Sequence, residues 1–256
     1  MQRTLTEIKP DEFPAVFRPI LSGVPVYDSS CSNEARVWYI ERGNGYFLKK
    51  ASKGRLQNEA ALTRFFHLRG FGPELLCYES LEDDWMLTAR VPGEDCTHEQ
   101  YLSDPKRLCD TLAEKLRILH ETDFSGCPVE NRTEQYLQTA QHNRSHRVNE
   151  AGWGYDSVRE AWRVIETQSH FLKADTLIHG DYCLPNIMLD NWRFSGFIDF
   201  DNAGVGDRHI DLFWGAWSLG YNLKTDAYRS RFFDAYGRDK VSEDILKIIA
   251  AVEVFG

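Results

Sequence analysis

Residues 179–186 read His-Gly-Asp-Tyr-Cys-Leu-Pro-Asn, a polar loop between the apolar runs Leu177-Ile178 and Ile187-Met188-Leu189. A histidine opens it, and two oxygen-bearing side chains, Asp181 and Asn186, stand five positions apart. Such groups can orient or accept a hydroxyl proton, or ligate a hard cation. The adjoining stretch IMLDNWRFSGFIDF reads as two short strands around Asn191. If 187–189 and 194–198 pair as a hairpin, Asn186 precedes the first strand and Asp199 comes after the second. Antiparallel pairing then brings these side chains together. Asp181 can hang over the same spot, and so few oxygen ligands, completed by waters and phosphates, suit Mg²⁺.

The order His, one residue, Asp, four residues, Asn is that of the protein-kinase catalytic loop, with Asp199 in the place of the metal-binding Asp of D-F-G. Here the text is Asp199-Phe200-Asp201, without the glycine. That chemistry also needs a strand lysine and a helix glutamate to hold it. Lys49 ends the strand YFLK, and Glu59 lies in the helix after it. Each part alone is weak; four parts in the right order form a specific set.

Structural roles account for the neighbours. His179 is expected to brace the loop through backbone carbonyls, and Asp211, in an apolar stretch, to accept backbone hydrogen bonds, because a buried carboxylate must be satisfied. Cys183 has no base to activate it and reads as filler. Lys50 competes with Lys49 for the functional position, and the place after Phe47-Leu48 favours Lys49. Trp214 and Trp217 read as core.

The positioning elements divide in two. Over 1–91 the pattern is β-rich with one helix. Strands are expected at Ala35–Ile40 and 46–50, joined through Gly43-Asn44-Gly45, whose Asn-Gly supplies positive φ angles. A helix over 56–69 stops at Gly70, and strands come next at Leu75–Ser80 and 85–89. Val91-Pro92-Gly93 breaks the pattern. Over 92–256 the chain turns helical: Asp104-Pro105 opens a helix with Leu108, Leu112, Leu116 and Leu119 on one face. Arg132–Asn143 and 156–171 supply two more, and HIDLFWGAWSLG is apolar almost all round, as a buried helix is. The expected fold is α+β and bilobal, protein-kinase-like: a small antiparallel sheet with one helix, then a larger, mainly helical lobe.

Composition sets outer bounds. With 256 residues and a net charge of −9, the chain has no basic face for nucleic acid, and the charge suits a cationic small molecule. Six cysteines contain no C-x-x-C pair. The N-terminus has no apolar leader and no run is long enough to span a bilayer. A cytoplasmic protein, monomeric or weakly dimeric and bound to no membrane, is expected.

With these motifs in place, the chain resembles the aminoglycoside 3′-phosphotransferases, kinases that inactivate kanamycin- and neomycin-type antibiotics. CSNEARVW, LQNEAALTRF, WMLTARVPG, HGDYCLPNIML and FSGFIDF carry the resemblance, which extends over nearly the whole sequence. It implies Asp181 as catalytic base, Asn186 and Asp199 as Mg²⁺ ligands, Lys49 on the α/β-phosphates with Glu59 positioning it, and Ser32 on the loop over the phosphates. Ala89, Arg90 and Val91 would form the hinge that pairs with adenine. The nucleoside triphosphate would be ATP, with GTP as the alternative donor. Carboxylates for the cationic acceptor would come from Asp156, Asp201 and Glu253.

Three departures stand out. Asp201-Asn202 replaces the family's usual Gly-Arg. The insert QHNRSHRVNEAGWGYDSVRE is poor in acids, and the C-terminus VEVFG has one acid where two are usual. A same-fold kinase of another small alcohol and a nucleotide-binding pseudoenzyme are the competing expectations. A protein kinase is disfavoured by the missing A-P-E segment.

Overall fold

The structure, a computed structural model, describes residues 3–31, 34–145 and 152–256. Ser32 lies outside the described residues. The chain forms two compact units, one of residues 1–95 and 188–201, the other of residues 96–187 and 202–256. The division is therefore not a single cut after residue 91, because the segment 188–201 returns to the first unit.

In the first unit, six antiparallel strands run β1 (Thr4–Leu5), β2 (Val26–Asp28), β3 (Ala35–Ile40), β4 (Tyr46–Ser52), β5 (Leu75–Ser80) and β6 (Asp83–Ala89), ordered β1-β2-β3-β4-β6-β5. The β3–β4 hairpin pairs Ile40 with Tyr46 and Val37 with Lys49. Its connection is longer than a two-residue turn, and the positive φ angles fall on Gly43 and Gly45 rather than on Asn44. One sheet face packs on Phe13, Phe17 and Leu21, through Trp38, Leu48 and Trp85. The Trp38 and Trp85 rings stack at 5.9 Å. A short helix α1 (Arg18–Leu21) completes this layer, and α2 (Gln57–His67) covers the other face.

A second sheet orders β10-β9-β7, with β7 at Glu94–Asp95, β9 at Ile187–Asp190 and β10 at Arg193–Phe197. The hairpin expected around Asn191 is present. Asn191 and Trp192 both have positive φ, 48° and 69°, as a two-residue turn of the twist-matching type requires.

The second unit is mainly helical. Its helices are α3 (Glu99–Leu102), α4 (Pro105–His120), α5 (Arg132–Asn143), α6 (Val158–Gln168), α7 (Arg208–Leu223), α8 (Arg229–Tyr236) and α9 (Glu243–Glu253). Asp104 caps α4 by accepting from the Arg107 amide, a contact worth about 1 kcal/mol. The four predicted leucines of α4 are fully buried. Strands β8 (Thr176–Ile178) and β11 (Gly204–Gly206) pair antiparallel, Ile178 opposite Gly204. This ladder anchors the start of the 179–186 loop. Helix α7 departs from expectation: Ile210, Leu212 and Leu219 are buried, yet Trp217 and Tyr221 are exposed.

Candidate active site

Strand alternation sets the first constellation. Leu48 and Lys50 face the layer containing Trp85, with the Lys50 ammonium over the Trp85 ring and paired to Asp83 at 2.7 Å. Lys49 therefore projects to the opposite face, where the first turn of α2 delivers Glu59. Lys49 Nζ donates to Glu59 Oε1 and Oε2 at 2.9 and 2.8 Å, and to Asp199 Oδ1 at 3.2 Å. Asp199 holds φ at 65°, a left-handed conformation that aspartate tolerates better than most residues but at some cost. Its side chain is 51% exposed, whereas Lys49 and Glu59 are largely covered.

Burial opposes the Lys49 ammonium, but the charges of Asp199 and Glu59 outweigh it and raise its pKa. Burial pushes the Glu59 carboxyl up to about 7 against the pull of Lys49, and the Asp199 charge pushes the same way. Lysine thus stays charged at neutral pH beside a glutamate close to its titration point.

These residues line a pocket of about 330 Å³ in the first unit, whose wall includes Val37, Phe47, Ala89, Arg90 and Val91. The Ala89 amide donates to Glu74 O and the Arg90 amide to Gly45 O, both at 3.0 Å. The Asp201 carboxylate pairs with Arg55 at 3.0 Å, and Arg55 also reaches Glu34 at 3.2 Å; the Asp201 charge also helps push the Glu59 carboxyl up. The negative charge of Asp201 is countered by Arg55 within the same unit.

The second constellation is the 179–186 loop. Asp211, in the first turn of α7, accepts from the His179 and Gly180 amides, both at 2.7 Å. His120 Nε2 meets the same carboxylate at 3.0 Å, and His120 Nδ1 lies 2.8 Å from the Tyr236 hydroxyl. Burial lowers the His120 pKa, so the neutral ring donates through Nε2 and accepts through Nδ1. Gly180 has φ of 80°, and a Cβ there would lie 1.8 Å from Asn202 O. The Leu184 amide donates to Ser218 Oγ on α7 at 2.9 Å. His179 is fully buried and accepts from the Asp181 amide, a contact with a backbone amide where carbonyls were expected.

Asn186 Nδ2 donates to Asp181 O at 3.0 Å and to Asp181 Oδ2 at 2.8 Å. Both bonds use the amide nitrogen, so Oδ1 is the end that can meet a cation. Asn186 Oδ1 and the exposed carboxylate of Asp199 are hard oxygen donors, as Mg²⁺ prefers. Burial pushes the Cys183 thiol far above its ordinary range, and Asp181 adds to the shift. That leaves it inert.

Near the C-terminus, Glu253 Oε1 accepts from the Tyr136 hydroxyl at 2.6 Å and from Trp214 Nε1 at 3.0 Å. Burial raises the Glu253 carboxyl to about 7, those two donors pull it down, and the Asp181 charge pushes it up. Asp156 is exposed ahead of α6, where its amide donates to Glu160 Oε2 at 3.2 Å. Tyr136, His120, Ser218 and Arg55 give no signal in the sequence, because their roles depend on partners distant in the chain. Of the two tryptophans expected in the core, Trp214 is half-buried, packs against the cluster of Ile178, Ile210 and Ile249 and bonds to Glu253, whereas Trp217 is exposed.

A profile of the phosphotransferase enzyme family matches residues 30–246. The chain belongs to that family. It is 47% identical over 253 residues, 96% of each chain, to the probable aminoglycoside 3′-phosphotransferase of Lactococcus lactis. It is 31% identical over 176 residues, 67% of each chain, to the aminoglycoside 3′-phosphotransferase of Niallia circulans. The crystal structure of an aminoglycoside-3′-phosphotransferase of type VIII superposes with a TM-score of 0.74 at 22% identity, over 96% of each chain. APH(3″)-Id from Streptomyces rimosus, in complex with ADP and streptomycin, gives 0.69 at 18% identity, over 86% of this chain and 90% of that one. At these identities the structural likeness carries the fold, which is α+β and protein-kinase-like. The family membership makes this chain a phosphotransferase acting on an alcohol group.

Proposed function

We propose that this phosphotransferase moves the γ-phosphoryl group of ATP to a hydroxyl of an aminoglycoside, the 3′-hydroxyl, and so confers resistance. The observation that carries the reading is the Lys49–Glu59–Asp199 triad on the wall of the 330 Å³ pocket. It is supported by the Asp181–Asn186 loop bond and by relatives that bear the aminoglycoside 3′-phosphotransferase name.

In this reading Lys49 holds the α/β-phosphates and Glu59 keeps its ammonium in place. The purine lies against Phe47 and Val37, paired to the Ala89 carbonyl and Val91 amide, with Arg90 between them. Ser32 belongs to the loop over the phosphates. Asp181 orients the acceptor hydroxyl and takes its proton, while Asn186 fixes the Asp181 carboxylate through Nδ2. Asn186 and Asp199 are the residues that would hold Mg²⁺, which supplies charge neutralisation on the phosphate oxygens. Transfer of this kind rests on positioning and preset electrostatics more than on covalent chemistry by the protein. Glu253 contributes negative charge for a cationic acceptor, and Asp156 adds to it from the surface; Asp201, paired with Arg55, is assigned no acceptor contact.

Among the described residues no helix is long and apolar enough to cross a membrane. The enzyme is proposed to act in the cytoplasm as a monomer or weak dimer. A coupled ADP-release assay with kanamycin and neomycin, run with ATP and with GTP, tests the function. Turnover with ATP, lost in Asp181→Ala, is expected. Turnover only with other amino alcohols would replace the acceptor assignment, and stabilisation by Mg·ATP with no turnover on any acceptor would make the chain a pseudoenzyme.

A further inference from the structure

Helix α7 carries aromatic residues where its apolar sequence predicts burial. Trp217 is 39% exposed and Tyr221, one turn later, 59% exposed. Their rings stack at 5.1 Å. Trp214 meets Trp217 edge-on at 5.3 Å, and Trp153 meets Trp214 and Trp217 edge-on at 5.6 and 5.8 Å. Trp217 and Tyr221 each keep part of the ring in solvent, and aromatic faces carry the negative lobe of the quadrupole.

Three further contacts say what these faces meet. Trp214 Nε1 donates to the half-buried Glu253 side chain, so one end of the aromatic wall carries a carboxyl group that is negative when ionised. Ser218, beside Trp217, accepts from Leu184 N, which ties the same turn of α7 to the loop bearing Asp181. At the far end the Lys224 ammonium lies 4.1 Å from the centre of the Tyr221 ring, so this surface already takes up a primary ammonium of the chain itself. Meanwhile residues 141–160 contain only three acids, Glu150, Asp156 and Glu160.

We propose that Trp153, Trp214, Trp217 and Tyr221 form an ammonium-recognising wall of the acceptor site. It takes protonated amines of the acceptor through cation–π contacts, with Glu253 as the counter-charge. Recognition of the cation thus rests on aromatic faces more than on a carboxylate cluster. The inference rests on the phosphoryl-acceptor reading above and specifies how that acceptor is held.

The test compares Trp217→Leu, Trp217→Phe and Tyr221→Leu with the wild type in the intact chain. Kanamycin binding is read by calorimetry and the acceptor KM by ADP release. Trp217→Leu is expected to weaken kanamycin roughly tenfold, as a partly desolvated cation–π contact implies. Trp217→Phe should retain most of the binding, and KM for ATP and the melting temperature should not move. Kanamycin with its amines acetylated should bind wild type and Trp217→Leu alike. Equal kanamycin binding by wild type and both leucine variants would overturn the proposal, as would an equal loss for the acetylated compound. If no aminoglycoside is turned over, the acceptor assignment fails separately, and spermidine titration then decides on the wall. Binding lost in Trp217→Leu supports it, and no binding to the wild type overturns it.

Discussion

Asp211 Oδ2 lies 2.7 Å from the His179 amide, across 32 residues of sequence. Its other oxygen accepts from Gly180 N, and His120 completes its shell, so one buried carboxylate sets the path of the loop that carries Asp181. Asp211→Ala should destabilise the protein by roughly 3–5 kcal/mol, because two amides and an imidazole lose their acceptor in a dry interior. Denaturant unfolding measures this. Asp211→Asn, with only one carbonyl oxygen to accept, should lose activity more than stability.

Lys49 and Lys50 separate by face. Lys49→Ala should lower kcat/KM for ATP about 100-fold, the scale for removing one preset charge from a transition state. Glu59→Gln should cost roughly tenfold, because Asp199 still holds the ammonium. Lys50→Ala, removing an outward pair with Asp83, should stay within about twofold of wild type. Steady-state ADP release distinguishes the three, and equal losses at positions 49 and 50 would contradict the geometry.

At position 180 backbone conformation and space act together. An alanine would need a φ of 80° and would place its Cβ 1.8 Å from Asn202 O. Gly180→Ala should therefore destabilise by about 3 kcal/mol or more and abolish turnover. A melting curve and an activity assay on the same preparation check both.

The Glu253 carboxyl, raised by burial to about 7, gives a pH dependence whose direction can be worked out. Its folded pKa exceeds the ordinary 4.5, so its contribution to stability is full below about 4.5 and is lost as pH rises through about 7. Binding of a cation runs the other way, since it needs the ionised form. Acceptor KM should rise as pH falls below 7, at most about tenfold per unit, and Glu253→Gln should flatten that rise. An acceptor KM in wild type that is level from pH 8 to 6 would remove Glu253 from the acceptor site.

The His120 ring provides a stability counterpart. Its folded pKa is lowered by burial, so the stability it contributes is present above the ordinary 6.5 and is lost as pH falls below that. The His120 contribution to the unfolding free energy should fall between pH 7 and 5, opposite in sign to that of Glu253, and the difference between wild type and His120→Gln should isolate it. Guanidinium titrations at several pH values measure it.

Local pattern was enough for much of this protein. The alternation of β4 puts Lys49 and Lys50 on opposite faces, the Asp104-Pro105 pair opens α4, and the spacing of His179, Asp181 and Asn186 marks the loop. These arise from interactions a few residues long, which repeat in sequence as they repeat in space. Which lysine meets Glu59, that Asp201 is countered by Arg55, and that Glu253 is gripped by Tyr136 and Trp214 were decided only by tertiary structure. The same holds for α7: hydrophobicity alone cannot tell a buried indole from one at a surface. That difference depends on whether a distant segment covers the ring, and over Trp217 and Tyr221 the cover is incomplete.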